Sequence, residues 1–134
     1  MRIVVDTNIL ISGIFFGGKP RELLQMCFSG KLQMVCTEEI FIEYMKTIDR
    51  LTEKTGKNVR TEIEPILIEN LEFIENSNFG SYSRDPDDDK FINCAISGEI
   101  QNIISGDKDL LVLKKIKEIE IITAAEFLNR FGNS

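Results

Sequence analysis

Four short apolar runs are spread widely along the chain: RIVV (2–5), LQMVC (32–36), NIIS (102–105) and IEIIT (119–123). The stretches between them carry apolar residues at helical spacing. Short continuous apolar strands separated by helices must be buried on both faces, and parallel pairing is the arrangement that allows it. The expected fold is α/β, a three-layer α/β/α arrangement with a central parallel sheet of four to five strands. LEFIE (71–75) is the candidate for the fifth strand.

The helices have readable ends. DTNILISGIFFGGK (6–19) reads as a short helix breaking into a Gly-Gly loop. Pro20 is placed at the first position of a second helix, stopped by Gly30. Thr37 caps a helix whose apolar positions are 40, 41, 44, 45, 48 and 51. TEIE (61–64) and TAAE (123–126) both read as capping boxes. The segment 86–98 is a helix entered through Asp85 and Pro86. GDKDLLVLKK (106–115) is a loop with a short helix.

The length of 134 residues suits a single domain over 1–134, and no internal repeat divides it. No run is long and apolar enough for a membrane span, and the first residues are too short for a secretory signal. Cysteines 27, 36 and 94 form neither a CxxC pair nor a disulfide framework, which favours a reducing cytoplasm. The chain has no histidine, which excludes histidine acid–base catalysis and histidine-containing zinc sites. A net charge of −6 excludes a broad basic face for nucleic acid but suits carboxylates that hold cations.

Where the acids fall is informative. Ligands of open α/β sheets bind outside the carboxyl ends of the strands. Asp6 follows the first strand directly, and Asp107 follows NIIS closely. Each alone is ordinary, because aspartate is a common cap and turn former. In RDPDDDKFINCA (84–95), helical spacing puts Asp88 on the apolar stripe of Phe91, Ile92, Ala95 and Ile96. Asp89 lies at its edge, and Asp87 points away. A charge facing the core needs a partner, and a metal ion is the economical one. In TEEIFIEYMKTI (37–48), periodicity does not choose decisively among Glu38, Glu39 and Glu43. Two carboxylates ~5 Å apart repel by roughly 3 kcal/mol at an effective dielectric of about 20. Converging acids therefore require protons or cations, and Mg²⁺ and Mn²⁺ prefer such oxygen ligands.

VVDTNILISG (4–13), the Glu43 helix, DPDDDKFINCA (85–95) and IISGDKDLL (103–111) together resemble the PIN-domain ribonuclease family, in order and over nearly the whole chain. The branch they resemble is that of toxins from prokaryotic toxin–antitoxin modules. The resemblance implies a Mg²⁺- or Mn²⁺-dependent endoribonuclease, an RNA substrate, a cognate antitoxin and a possible homodimer. It matches Asp6, Glu43, Asp88 and Asp107 to the family's catalytic and metal-binding acids, and selects Glu43 over its neighbours. The repeated acids leave a slip from Asp88 to Asp89 open. Ser105 stands at the family's small hydroxyl position. Thr7 and Asn8 match the polar pair expected to hold Asp6 by hydrogen bonds. Asp109 reads as an N-cap rather than a supporting ligand.

Arg84, Lys90 and Lys108 lie near the acids and are candidates for phosphate contact, against the blander reading that they balance nearby carboxylates. GGKPR (17–21) lacks the spacing of a P-loop and is at most a phosphate-accepting lip. Phe15–Phe16 reads first as core, with docking of a partner as the alternative. An aspartyl-phosphate mechanism of the dehalogenase kind needs Asp-x-Asp, whereas the chain has Asp6-Thr7-Asn8. GDKDLL lacks the EF-hand's ligand and glycine positions. The rival of another class is a catalytically weak PIN-like module acting through a protein or RNA partner.

Overall fold

Six strands form one sheet: β1 (Arg2–Val5), β2 (Gln33–Cys36), β3 (Leu71–Phe73), β4 (Asn102–Ile104), β5 (Lys115–Ile116) and β6 (Ile119–Ile122). The computed structural model describes residues 1–56 and 58–132. The strand order is β3-β2-β1-β4-β6-β5. All pairings are parallel except that of β5 with β6. Ile3, Val4 and Val5 are all 0 % exposed. Alternate strand residues point to opposite faces, so helices must cover both.

The helices are α1 (Thr7–Phe15), α2 (Gly18–Phe28), α3 (Glu38–Thr55), α4 (Arg60–Asn70), α5 (Asp89–Ser97), α6 (Lys108–Leu111) and α7 (Ala124–Phe131). Helix α5 packs against β1, β2 and β4. Helices α1, α2, α3, α4 and α7 form a second set joined by mutual contacts. The α1–α2 corner is tight: a Cβ on Gly13 would lie 2.5 Å from Leu24 Cδ1. Arg21 closes the corner by donating to the carbonyls of Gly13 and Ile14 at 2.9 and 3.1 Å.

The five parallel strands β1, β2, β3, β4 and β6 meet the expected four to five, while several local expectations need correction. The antiparallel edge strand β5 lies outside the expected four to five parallel strands. It is two residues long and turns through Lys117 at φ 54°, where no glycine or asparagine signals a hairpin. Helix α2 begins at Gly18, so Pro20 lies inside its first turn. The 61–64 capping box does not form: Val59 is the N-cap, and Glu64 accepts from Arg60 Nε at 2.8 Å. The box at Thr123 and Glu126 does form, and Thr37 caps α3 through the amide of Ile40. Phe15 packs against the core, whereas Phe16 is 77 % exposed.

Candidate functional site

Strand β1 is where the sheet's connections change direction. From β1 the chain steps to β2 and β3 on one side, whereas β4 and β6 lie on the other. The carboxyl ends of the neighbouring β1 and β4 therefore flank a topological switch point, the usual place for a ligand crevice. The Asp6 amide continues the ladder by donating to the Ile104 carbonyl at 3.0 Å. Asp6 emerges from β1 beside Ser105, which follows β4.

Asp6 is 2 % exposed, and both its carboxylate oxygens accept hydrogen bonds. Oδ1 accepts from the Ile9 amide at 2.8 Å and caps α1. Oδ2 accepts from Ser105 Oγ and from the Gly106 amide at 3.3 Å. Burial pushes the Asp6 pKa up, against these donors; Asp107 adds to the rise. Ser105 Oγ in turn accepts from the Asp107 amide at 2.9 Å. Asp107 Oδ1 caps α6 by accepting from the Asp109 amide at 2.8 Å.

Helix α3 brings Glu43 to this rim. The Tyr44 hydroxyl, fully buried, donates to the Val5 carbonyl and pins α3 to the end of β1. Glu43 Oε2 accepts from Thr7 Oγ1, and Oε1 pairs with Lys90 Nζ at 2.5 Å. Lys90 also reaches Asp87 at 3.2 Å, and its side chain is only 9 % exposed.

Asp88 is held differently. Asp85 accepts from the Asp87 amide at 3.0 Å and caps a 3₁₀ turn over Pro86–Asp88, which runs into α5. Asp88 is 8 % exposed, and its Oδ2 has no hydrogen-bond partner among the described residues. Burial first, then the charges of Asp107, Asp85, Asp6 and Asp109, raise its pKa to about 7. Asp6, Glu43, Asp88 and Asp107 all line one cleft of about 250 Å³. Oxygens of Asp85, Asp88 and Asp109 also lie within 4.8 Å of one another. A buried, partnerless carboxylate oxygen amid further acids fits a hard divalent cation: the donors are all oxygen, and the ion would remove the repulsion. Two larger grooves, about 810 Å³ beside α3 and α4 and about 580 Å³ beside α2 and α7, gather no such set. In the first, Asp49 and Glu64 are tied to Arg60.

Other expected site residues fall elsewhere. Thr7 serves Glu43 rather than Asp6, and Asn8 is exposed at the cleft without bonding Asp6. Asp89 does not line the cleft; its Oδ1 accepts from the amides of Tyr82 and Ser83 at 3.0 and 2.8 Å. Asn93, one turn later, accepts from Asn78 Nδ2 and the Gly80 amide at 2.7 and 3.0 Å. These two α5 side chains fix the loop that delivers Asp85, a role their polar character on a buried helix face could have signalled. Asp109 is not a cap; it pairs with Arg84 at 2.7 Å. Arg84 and Lys90 thus balance carboxylates, and Lys108 is exposed and does not line the cleft. GGKPR forms the start of α2 and no lip of the cleft.

Comparison with known proteins bears on this geometry. The family model described as PIN domain matches residues 2–109. The chain belongs to the PIN-domain family. Members of that family are generally nucleases. This PIN domain is similar in fold to a chain from the crystal structure of VapBC2 from Rickettsia felis bound to a DNA fragment from their promoter. That match has a TM-score of 0.61 at 13 % identity and covers 90 % of this chain and 97 % of the other. A second similar structure, the PIN domain endonuclease Utp24, has a TM-score of 0.48 at 20 % identity, over 90 % of this chain and 82 % of the other. No curated protein sequence matches the chain. Among the described residues, no helix is long and apolar enough to cross a membrane.

Proposed function

We propose that this PIN domain is a Mg²⁺- or Mn²⁺-dependent endoribonuclease, the toxin of a prokaryotic toxin–antitoxin module. The observation that carries the metal-dependent reading is the partnerless Oδ2 of buried Asp88 in a cleft shared with Asp6, Glu43 and Asp107. Asp6, Asp88 and Asp107 would hold the cation. When bound, it supplies charge neutralisation and Lewis-acid polarisation of a phosphoryl oxygen. Ser105 and the amides of Ile9 and Gly106 hold Asp6 in one orientation, so its oxygens need no rearrangement. Lys90 and Thr7 hold Glu43 at the cleft wall.

The toxin assignment is supported by the sequence resemblance and by the fold shared with VapBC2. It carries with it a cognate antitoxin, a homodimer and a cytoplasmic location. The whole of 1–134 is proposed as one PIN-like unit, since β6, beyond the family match, pairs with β4. One observation favours the alternative of a catalytically weak binding module: both Glu43 oxygens are already engaged. Incubation of structured RNA with the purified protein and Mn²⁺ decides between them. Cleavage by wild type that EDTA abolishes, and that Asp6→Asn and Asp88→Asn each lose by more than about a hundredfold, supports the nuclease. Equal cleavage by all three proteins, or none by any at any divalent concentration, refutes it.

A further inference from the structure

We infer that Arg50 is the cation that grips the phosphate backbone of RNA entering the acidic cleft. This rests on the nuclease reading and adds a positioning residue to it. The walls of the cleft are dominated by carboxylates, including Asp85 and Asp87. A polyanion approaching them needs a fixed positive charge nearby. Of the three basic side chains nearest the acids in sequence, Lys90 is engaged by Glu43 and Asp87, Arg84 is engaged by Asp109, and exposed Lys108 does not line the cleft.

Arg50 is the basic side chain that lines the cleft itself. It is exposed and makes no hydrogen bond or ion pair with any described residue. The acid beside it in sequence, Asp49, is taken by Arg60. Arg50 lies two turns along α3 from Glu43, on the same face, and Thr47 lies between them. The Thr47 hydroxyl donates back to the Glu43 carbonyl at 2.9 Å and does not contest the guanidinium. Arg50 is thus displaced about 10 Å along the helix axis from Glu43. At that distance it meets a phosphate flanking the scissile one, so it orients the strand without touching the reacting atoms. A guanidinium offers two parallel donors to one phosphate, which an ammonium cannot reproduce.

The test uses the full chain and a labelled single-stranded RNA. Binding is read by fluorescence anisotropy in Ca²⁺, an oxygen-seeking ion that neutralises the acids, and cleavage is read in Mn²⁺. Arg50→Ala is expected to weaken binding and raise KM about tenfold, with kcat within about twofold. The slope of log affinity against log salt should fall by about 0.7, the value of one single-strand phosphate contact. Arg50→Lys should keep that slope while recovering only part of the affinity. Mn²⁺ affinity, measured by calorimetry without RNA, should not move. Equal RNA affinity and salt slope in wild type and Arg50→Ala overturn the inference, and leave the nuclease reading standing if Asp88→Asn still abolishes cleavage. Arg50-dependent binding without any cleavage upholds the inference and removes the nuclease. A wild type that neither binds nor cleaves RNA overturns both.

Discussion

Replacing Asp88 by asparagine should make the metal-free protein more stable at alkaline pH. Asp88 is almost wholly buried, with one oxygen unpartnered and several acids around it. Its pKa rises from the ordinary 3.8 to about 7 in the fold. The unfolded chain therefore releases this proton at lower pH than the folded protein does. Stability is lost as pH climbs from about 4 to about 7 and stays lost above that. At about 1.4 kcal/mol per pH unit, the gap corresponds to ~4 kcal/mol at pH 8. Asparagine removes the charge but leaves an amide to satisfy, which returns about 1–2 kcal/mol of the gain. A net stabilisation of ~2–3 kcal/mol remains, or roughly 5–12 °C in Tm for a domain of this size. Urea unfolding in EDTA at pH 8 and pH 4 measures it, and the difference should largely vanish at pH 4. Mn²⁺ should reverse the order: at a hundred times its Kd it stabilises wild type by about 3 kcal/mol and the asparagine variant far less. An asparagine variant no more stable than wild type at pH 8 in EDTA would refute the claim that Asp88 is an unsatisfied charge.

Lys90→Met should destabilise the protein by ~2 kcal/mol in urea unfolding at pH 7, because half-buried Glu43 loses its counter-ion and is left with Thr7 alone; no change would mean that solvent already screens the pair. Ser105→Ala removes the hydroxyl between Asp6 and the Asp107 amide and should cost about 1–2 kcal/mol, with a loss of Mn²⁺ affinity by calorimetry. Undiminished Mn²⁺ affinity would show that Asp6 is oriented well enough by amides alone.

The five parallel strands were legible because buried parallel strands need apolar runs, and every run here but NIIS has at least three apolar residues. Asp88 was legible for the same reason: a charge on an apolar stripe has no bland place to go. Glu43 was not, because α3 is acidic in its first turn as well and periodicity alone does not separate those acids. The family resemblance assigns Thr7 to Asp6. In the fold Asp6 turns toward Ile9 and toward Ser105, which is 99 residues away, and Thr7 faces α3 instead. The box at 61–64 failed because Arg60, just before it, draws Glu64 and Asp49 to itself. Arg50 gave no signal, since an arginine on an exposed helix position looks like any solvated charge until the neighbouring helices place it on a cleft.

The carboxylates at this rim divide by how they are held, and that division follows from topology. Asp6 and Asp107 follow adjacent parallel strands and cap the helices that come next, so amides at the helix starts and the Ser105 hydroxyl take up both oxygens of Asp6 and one of Asp107. Glu43 arrives from a helix that Tyr44 anchors to the same strand end, and it brings its own counter-ion from α5. Asp88 comes from a 3₁₀ turn whose capping duty Asp85 already performs, so no backbone donor remains for it. Asp6 and Glu43 are thus tied through both oxygens and Asp107 through one, whereas Asp88 accepts no hydrogen bond from a described residue and leaves a buried oxygen open in their midst. The tied acids set the position of an ion, while the open one sets how strongly the fold needs it. A substitution at Asp6 should therefore disturb structure and binding together, whereas one at Asp88 should separate them.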